Sequence, residues 1–335
     1  MNTRLYPKYH KIYKRACYED NKDLIELIML NMDDNNKAGL IGACKGENIQ
    51  LVKYFLDYDG KYNIHCFSYA CYIGNIEIIN MFLNLDLKFP VGYYDTISQF
   101  YDSGLRGACK GGHLNIVKML IELGATNYML AMEGACEGGH MEIINYIMNI
   151  WDVDLNHGLQ GACLGGHDAV IKMMISLGAT DYNWGLAYAC EHGHLEIIKI
   201  LLDIGPKCLD LGLYGACLGG HIAIVKMLIE FVANNYQMGL IGACEGGHDS
   251  IIKMMLYLGA NNYNDGLCIA CKGGHSAVVK MMLSKGANDY NGGLRLACQG
   301  GHLDIVKMML SLGADHYDWG FFNACKHGHL EICKI

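Results

Sequence analysis

The apolar positions of this chain fall into short helical patterns separated by glycine. In the segment Gly158 to Trp184, GLQGACLGGHDAVIKMMISLGATDYNW, two such patterns follow one another, with Gly-Gly-His between them and Gly-Ala near the end. Their spacing predicts two helices and not the strict alternation of a strand. The second pattern is apolar at most positions. After His113 come Ile116, Val117, Met119, Leu120, Ile121 and Leu123, with Lys118 and Glu122 interrupting. So wide an arc is expected to be buried against its own first helix and against the units on either side.

The pattern repeats. An Ala-Cys pair ends at Cys17, Cys44 and Cys71, then at Cys109, Cys136, Cys163, Cys190, Cys217, Cys244, Cys271, Cys298 and Cys325, always 27 residues apart except for the 38 between Cys71 and Cys109. Self-similarity at a fixed period marks a solenoid. Residues 1–335 are therefore read as one solenoid, with repeats starting near 10, 37, 64, 102, 129, 156, 183, 210, 237, 264, 291 and 318. An 11-residue insertion falls within about 87–101, and the last repeat is incomplete. The first helix is expected to open at an Asn or Asp seven residues before the Cys, such as Asn156, Asp210 or Asn264, where the side chain accepts from an unpaired backbone N–H. It is expected to close at the Gly-Gly, which tolerates the left-handed conformation.

Composition narrows the function. With 52% hydrophobic and 18% charged residues, disorder is excluded. A net charge of -8 is the wrong sign for a general phosphate binder and argues against nucleic acid as a partner. A Lys or Glu breaks every long apolar stretch and the first residues carry no apolar run, so neither a membrane span nor a signal peptide is predicted. Sixteen Cys without an export signal point to free thiols in a reducing compartment, the cytoplasm.

The run ACKGGHLNIVKMLIELGA, Ala108 to Ala125, and its counterparts resemble the ankyrin repeat, which has two Ala, a Gly-His, an Ile-Val pair and a Gly-Ala at these spacings. The resemblance covers about residues 10 to 335. It implies an all-α, ankyrin-like, right-handed helix-turn-helix solenoid. The unit departs from the usual length of about 33 residues, so the β-hairpin fingers are expected to be shortened. The signature before the Cys reads x-Gly-Leu-x, as in Trp184 to Ala187. The short unit, with Tyr-Asn after Gly-Ala, is similar to the divergent ankyrin proteins of giant viruses that infect amoebae, which implies a viral protein acting in the host cytoplasm.

Repeated Cys-x-x-x-His invites a zinc reading, but four ligands must converge at roughly 2.0 to 2.3 Å while packed helices stand about 10 Å apart. No metal and no cofactor are predicted. The Cys reads as a small buried residue, and His113, His167 and His248 as hydrogen-bond donors that fix the loop. No Gly-Lys-Ser/Thr follows the glycines, and no acid, base or nucleophile stands outside the period, so the chain is not read as an enzyme. One lysine per unit, including Lys118, Lys172, Lys199, Lys226 and Lys334, could serve a nucleic-acid or virion-associated packing protein. Without Arg or interleaved aromatics, a solvated face is the preferred reading. The paired methionines, such as Met173 and Met174, are read as core between units.

Positions three before and one after the Cys share a helix face and vary freely: Arg106 with Lys110, Glu133 with Glu137, Tyr214 with Leu218, Ile241 with Glu245. In an ankyrin-type stack this face lines the concave groove. The resemblance thus implies a protein-protein interaction scaffold for host or viral proteins, with Leu164, Trp184, Tyr214, Leu218, Met238 and Ile241 as partner-binding residues. Trp184 either faces the groove or wedges between units. The insertion places Phe89, Tyr93, Tyr94 and Phe100 where a finger would project, either as a second partner-binding loop or folded back on its own helices. The incomplete last repeat leaves Ala324, Leu330 and Ile332 uncapped, so the C-terminal unit is expected to fray, to self-associate end to end or to continue in a longer natural chain.

Overall fold

The computed structural model describes residues 36–59, 64–84, 94–327 and 329–334. Among them are only helices and the turns that join them, and no strand. The chain divides into two compact units, Met1–Thr180 and Asp181–Ile335. The first holds α1 (Asn36–Lys45), α2 (Ile49–Asp59), α3 (Ile64–Ile73), α4 (Ile76–Leu83), α5 (Tyr94–Gly111), α6 (Leu114–Glu122), α7 (Tyr128–Gly138), α8 (Met141–Ile150), α9 (Leu155–Gly165) and α10 (Asp168–Leu177). The second holds α11 (Tyr182–His192), α12 (Leu195–Ile204), α13 (Leu209–Gly219), α14 (Ile222–Glu230), α15 (Tyr236–Gly246), α16 (Asp249–Tyr257), α17 (Tyr263–Gly273), α18 (Ser276–Ser284), α19 (Tyr290–Gly300), α20 (Leu303–Ser311), α21 (Tyr317–Lys326) and α22 (Leu330–Cys333). Odd-numbered helices carry the Ala-Cys pair and even-numbered helices follow the Gly-His. The repeat expected to start near 10 lies outside the described residues.

Where the residue two before the Cys is glycine, as at Gly134, Gly161, Gly215 and Gly242, first helices of successive repeats meet backbone to backbone, whereas Ile269, Leu296 and Asn323 stand at that place in the last three repeats. Two residues before Cys217, Gly215 has no side chain, and a Cβ built on it would overlap the carbonyl oxygen of Ala187 in the preceding repeat. The Gly-Gly ending the helix has two separate tasks. A Cβ on Gly219 would collide with the Glu191 carbonyl, while Gly220 takes a left-handed φ of 81° to end α13. The space beside Gly220 is filled by the His248 ring of the next repeat, whose Nε2 lies 2.9 Å from the Leu218 carbonyl. The ring Nε2–H donates that hydrogen bond and satisfies a carbonyl that the helix end leaves open. The same bond spans 30 residues at His140 to Lys110 and His167 to Glu137 in the first unit, and at His221, His275, His302 and His329 in the second. The histidine is thus a fastener between repeats, as well as the residue that starts each second helix.

The core lies between the two helices of a repeat and the repeat before it. Cys136 and Cys163 in the first unit, and Cys190, Cys217, Cys244 and Cys271 in the second, are fully buried. The Cys136 sulfur sits 3.2 Å from where a Cβ of Gly158 would be, and the Met174 sulfur 2.8 Å from the same point. One glycine thereby admits the cysteine of the preceding repeat and the methionine of its own second helix. Methionines expected between units belong equally to the interior of a repeat, and only the second of each pair (Met174, Met255, Met282, Met309) is fully buried. The second-helix arc is also narrower than its sequence suggests. In α6 only Ile116, Val117 and Leu120 are buried, and Leu123 is exposed.

Three expectations are corrected. The residues that cap first helices stand nine before the Cys, where Asn127 accepts from Leu130 N at 3.1 Å and Asn235 from Met238 N at 3.2 Å. The Asn or Asp two residues later lies inside the first turn and reaches outward to the loop that opens the next repeat. Asp210 accepts from Asn234 N at 3.1 Å and Asn235 N at 3.0 Å, and Asn264 from Asn288 N at 2.7 Å and Asp289 N at 3.0 Å. Asp102, 8% exposed, does the same for Thr126 and Asn127. The insertion, for which the sequence leaves both a partner-binding loop and a fold back onto its own helices open, is helical in its last part. From Tyr94 it lengthens α5 to 18 residues. Phe100 is no exposed contact residue, since its buried ring stacks on Phe67 with centroids 4.0 Å apart. Covering two aromatic rings removes several hundred square ångströms from water, roughly 150–250 Å² each, which outweighs display to solvent. Phe89 and Tyr93 lie outside the described residues.

Two tests follow from the stacking. Helix propensity alone would make Gly215→Ala stabilising by about 1 kcal/mol, but overpacking a close contact costs roughly 1–3 kcal/mol. A denaturant titration should show a net loss, and a gain would disprove the close approach. Burial lowers the pKa of His302 below its ordinary 6.5; its bond to the Lys272 carbonyl opposes the shift, and the charges of His275 and His329 add to it. The unfolded chain then binds the proton first, so stability is whole above about pH 6.5 and declines as the pH falls below it. The denaturation midpoint should drop between about pH 8 and about pH 5, and His302→Gln should make that drop shallower.

Candidate partner-binding face

Residues six before, three before and one after each Cys occupy one side of the first helix. In the first unit this side is tied up by charge. Arg106 reaches Glu133 and Glu137, each at 2.9 Å, and Lys110 reaches Glu137 at 2.6 Å. The variable residues of these neighbouring repeats are thus partners of one another. Leu164, at the end of α9, is half-buried.

The second unit replaces most of these charges with apolar groups. Tyr214, expected to be free, donates its hydroxyl to Glu245 at 2.6 Å across the repeat boundary. Burial, that bond and the charges of Glu245 and Glu191 all raise the phenol pKa, so the proton stays on the tyrosine and the bond keeps its direction. Leu218, Ile241 and Met238 are half-buried. Trp184 is 47% exposed, and its ring tilts towards Tyr188 with centroids 6.3 Å apart. Ala187, at a position that varies between repeats, is buried under its neighbours.

The sequence reading gave Trp319 the same possible wedge between units as Trp184 and missed Phe321 and Phe322 of α21. Trp319 (63% exposed) and Phe322 (60%) hold the same two positions of their repeat as Trp184 and Ala187 hold in theirs, and Phe321 is exposed beside them. The signal was present, because the repeat period places Trp319 and Phe322 on this face directly.

The second helices carry paired lysines as well as exposed apolar residues such as Leu195, Ile222 and Tyr257. Lys172 is matched by Asp168 at 3.7 Å, Lys199 by Glu196 at 2.8 Å and Lys334 by Glu331 at 2.6 Å, each on its own helix. Lys118 lies over the Tyr146 ring at 5.3 Å. Nor do the cysteines face outward as ligands. Burial pushes the thiols of Cys136, Cys163, Cys217 and Cys244 up to about 12, so they carry no thiolate at neutral pH. Among the described residues no group of three or more His, Cys, Asp or Glu side chains is arranged to hold a metal ion, and no helix is long and apolar enough to cross a membrane.

Helix pairs stacked through their first helices, with an apolar side left open, define a helical repeat protein of the kind that presents a surface. Residues 186–265 and 240–318 match the family model for ankyrin repeats (3 copies), which supports ankyrin repeats across that stretch. No curated protein matches the chain. Among solved structures the chain is similar to the crystal structure of the human ASB11 ankyrin repeat domain. The two share 23% identity, with 47% of this chain and 84% of that chain covered and a TM-score of 0.33.

The cysteines give a direct check. In the folded protein Cys163, Cys217 and Cys244 should react with a soluble maleimide far more slowly than exposed Cys325, and all should react at once in denaturant. Fast labelling of the buried set without unfolding would contradict the packing.

Proposed function

We propose that the chain is a non-catalytic protein-protein interaction scaffold that binds its partner along the first-helix face. The observation that carries this reading is Trp184, half exposed on a face where neighbouring repeats cover most other large side chains. Leu218, Met238 and Ile241 continue the apolar character of that face within the second unit, and Glu191 and Glu245 edge it with negative charge. Exposed tryptophan is over-represented among the residues that dominate binding energy. A stack fastened at every repeat meets its ordering cost on folding, so little is lost on association. The similarity of the 27-residue unit to short-repeat ankyrin proteins of giant viruses supports a finer version: a viral protein that holds host or viral proteins in the host cytoplasm. In the first unit, Leu164 is the proposed contact residue on that unit's own first-helix face.

The test begins with affinity capture from cells, followed by variants. Trp184→Ala should weaken the captured partner by tenfold or more, about 1.4 kcal/mol or above, with the melting temperature hardly changed. Leu218→Ala should weaken it less. Tyr214→Phe, which keeps the ring and removes the bond to Glu245, should lower stability more than binding. Undiminished capture by Trp184→Ala would remove this face as the contact. Retention on a DNA column with steep salt dependence would instead favour the lysine-bearing side.

A further inference from the structure

The last helix pair contains a sulfur where other repeats have an aliphatic side chain. Eight residues after the repeat cysteine stand Val117, Ile144, Ile171, Ile198, Val225, Ile252, Val279 and Val306, but in the repeat of Cys325 that residue is Cys333. In the other repeats this branched side chain is fully buried or nearly so, in the core beneath the first helix. Substituting a thiol there brings two sulfurs together. The Sγ atoms of Cys325 and Cys333 lie 3.3 Å apart, one thiol hydrogen-bonded to the other. Cys325 is exposed at the end of α21, and Cys333 is half-buried at the end of α22. A disulfide needs the sulfurs at about 2.05 Å, so closure requires only a small movement, within reach of side-chain rotation and a shift of the four-residue α22.

We propose that Cys325 and Cys333 form an oxidisable dithiol, a modification site that a hydroperoxide converts to an intramolecular disulfide and a small thiol reverses. The exposed Cys325 sulfur attacks one peroxide oxygen and the O–O bond breaks. The leaving oxygen departs as water after taking the thiol proton, and Cys325 becomes a sulfenic acid. The Cys333 sulfur then attacks the Cys325 sulfur, and the S–O bond breaks with loss of a second water that carries the Cys333 proton. Two thiols lose two electrons, and one peroxide becomes two waters. The product closes the loop from 325 to 333 and pins α22 to α21, the helix that bears Trp319 and Phe322. In the repeats from Cys109 to Cys298 the residue at this place is aliphatic.

The full chain, reduced and then exposed to dilute hydrogen peroxide, can be alkylated and digested with trypsin. Cleavage after Lys307, Lys326 and Lys334 puts Cys325 in the peptide 308–326 and Cys333 in 327–334, with no other cysteine in either. The expected result is that the two peptides remain joined in a monomeric chain and separate on treatment with dithiothreitol. Cys333→Val restores the residue type of the other repeats, so it should preserve the fold and abolish the link. Finding the peptides separate, with Cys325 either intact or carried on to sulfinic acid, would overturn the proposal. So would a link from Cys325 to Cys298, a link between two chains, or a Cys325 cross-link that persists in Cys333→Val.

Discussion

The stack depends on how closely the backbone of one first helix can approach the next. At Gly134 and Gly161 in the first unit, and Gly215 and Gly242 in the second, a Cβ would press into a carbonyl of the preceding repeat. Glycine in a helix interior costs about 1 kcal/mol against alanine, so its recurrence marks a place where contact is worth more than propensity. The remaining choices follow from that spacing. A larger residue than cysteine beside Gly158 or Gly239 would force the helices apart, and the flexible thioether of Met174 or Met255 fills the gap left on the other side.

Close approach also decides how polar groups are satisfied. With the helix ends brought level, the carbonyl that closes one first helix meets the imidazole of the next repeat, and the loop N–H groups of that repeat meet an Asn or Asp side chain such as Asn264 or Asn291. In the second unit, the boundaries that follow Cys217, Cys271 and Cys298 are fastened on one side by histidine and on the other by Asp210, Asn264 or Asn291, with cysteine between them. No repeat can satisfy these groups alone, which is the physical content of calling such a protein cooperative along its length.

What is left free by these constraints is the outer part of the first-helix face. Its character changes along the chain, from the ion pairs of Arg106, Lys110, Glu133 and Glu137 to the tyrosine, leucine and tryptophan of the second unit. Exposed ion pairs contribute little to stability, since the screened attraction is offset by the loss of side-chain freedom. An exposed indole contributes to neither folding nor solubility.

The sequence by itself determined the period, the two-helix unit, the buried place of the cysteines and the hydrogen-bonding role of the histidines in the loop, because each is a local pattern written many times over. It also marked the face that carries Trp184. Only the tertiary structure decided which residue stands opposite which. Asn156 and Asp210 look like caps of their own helices and instead hold the next repeat, Tyr214 is bound by Glu245, and Phe100 stacks on Phe67. These pairings join residues between 24 and 33 positions apart in sequence. They depend on the register between neighbouring repeats, which no single repeat encodes and which exists only once two first helices have been brought into contact.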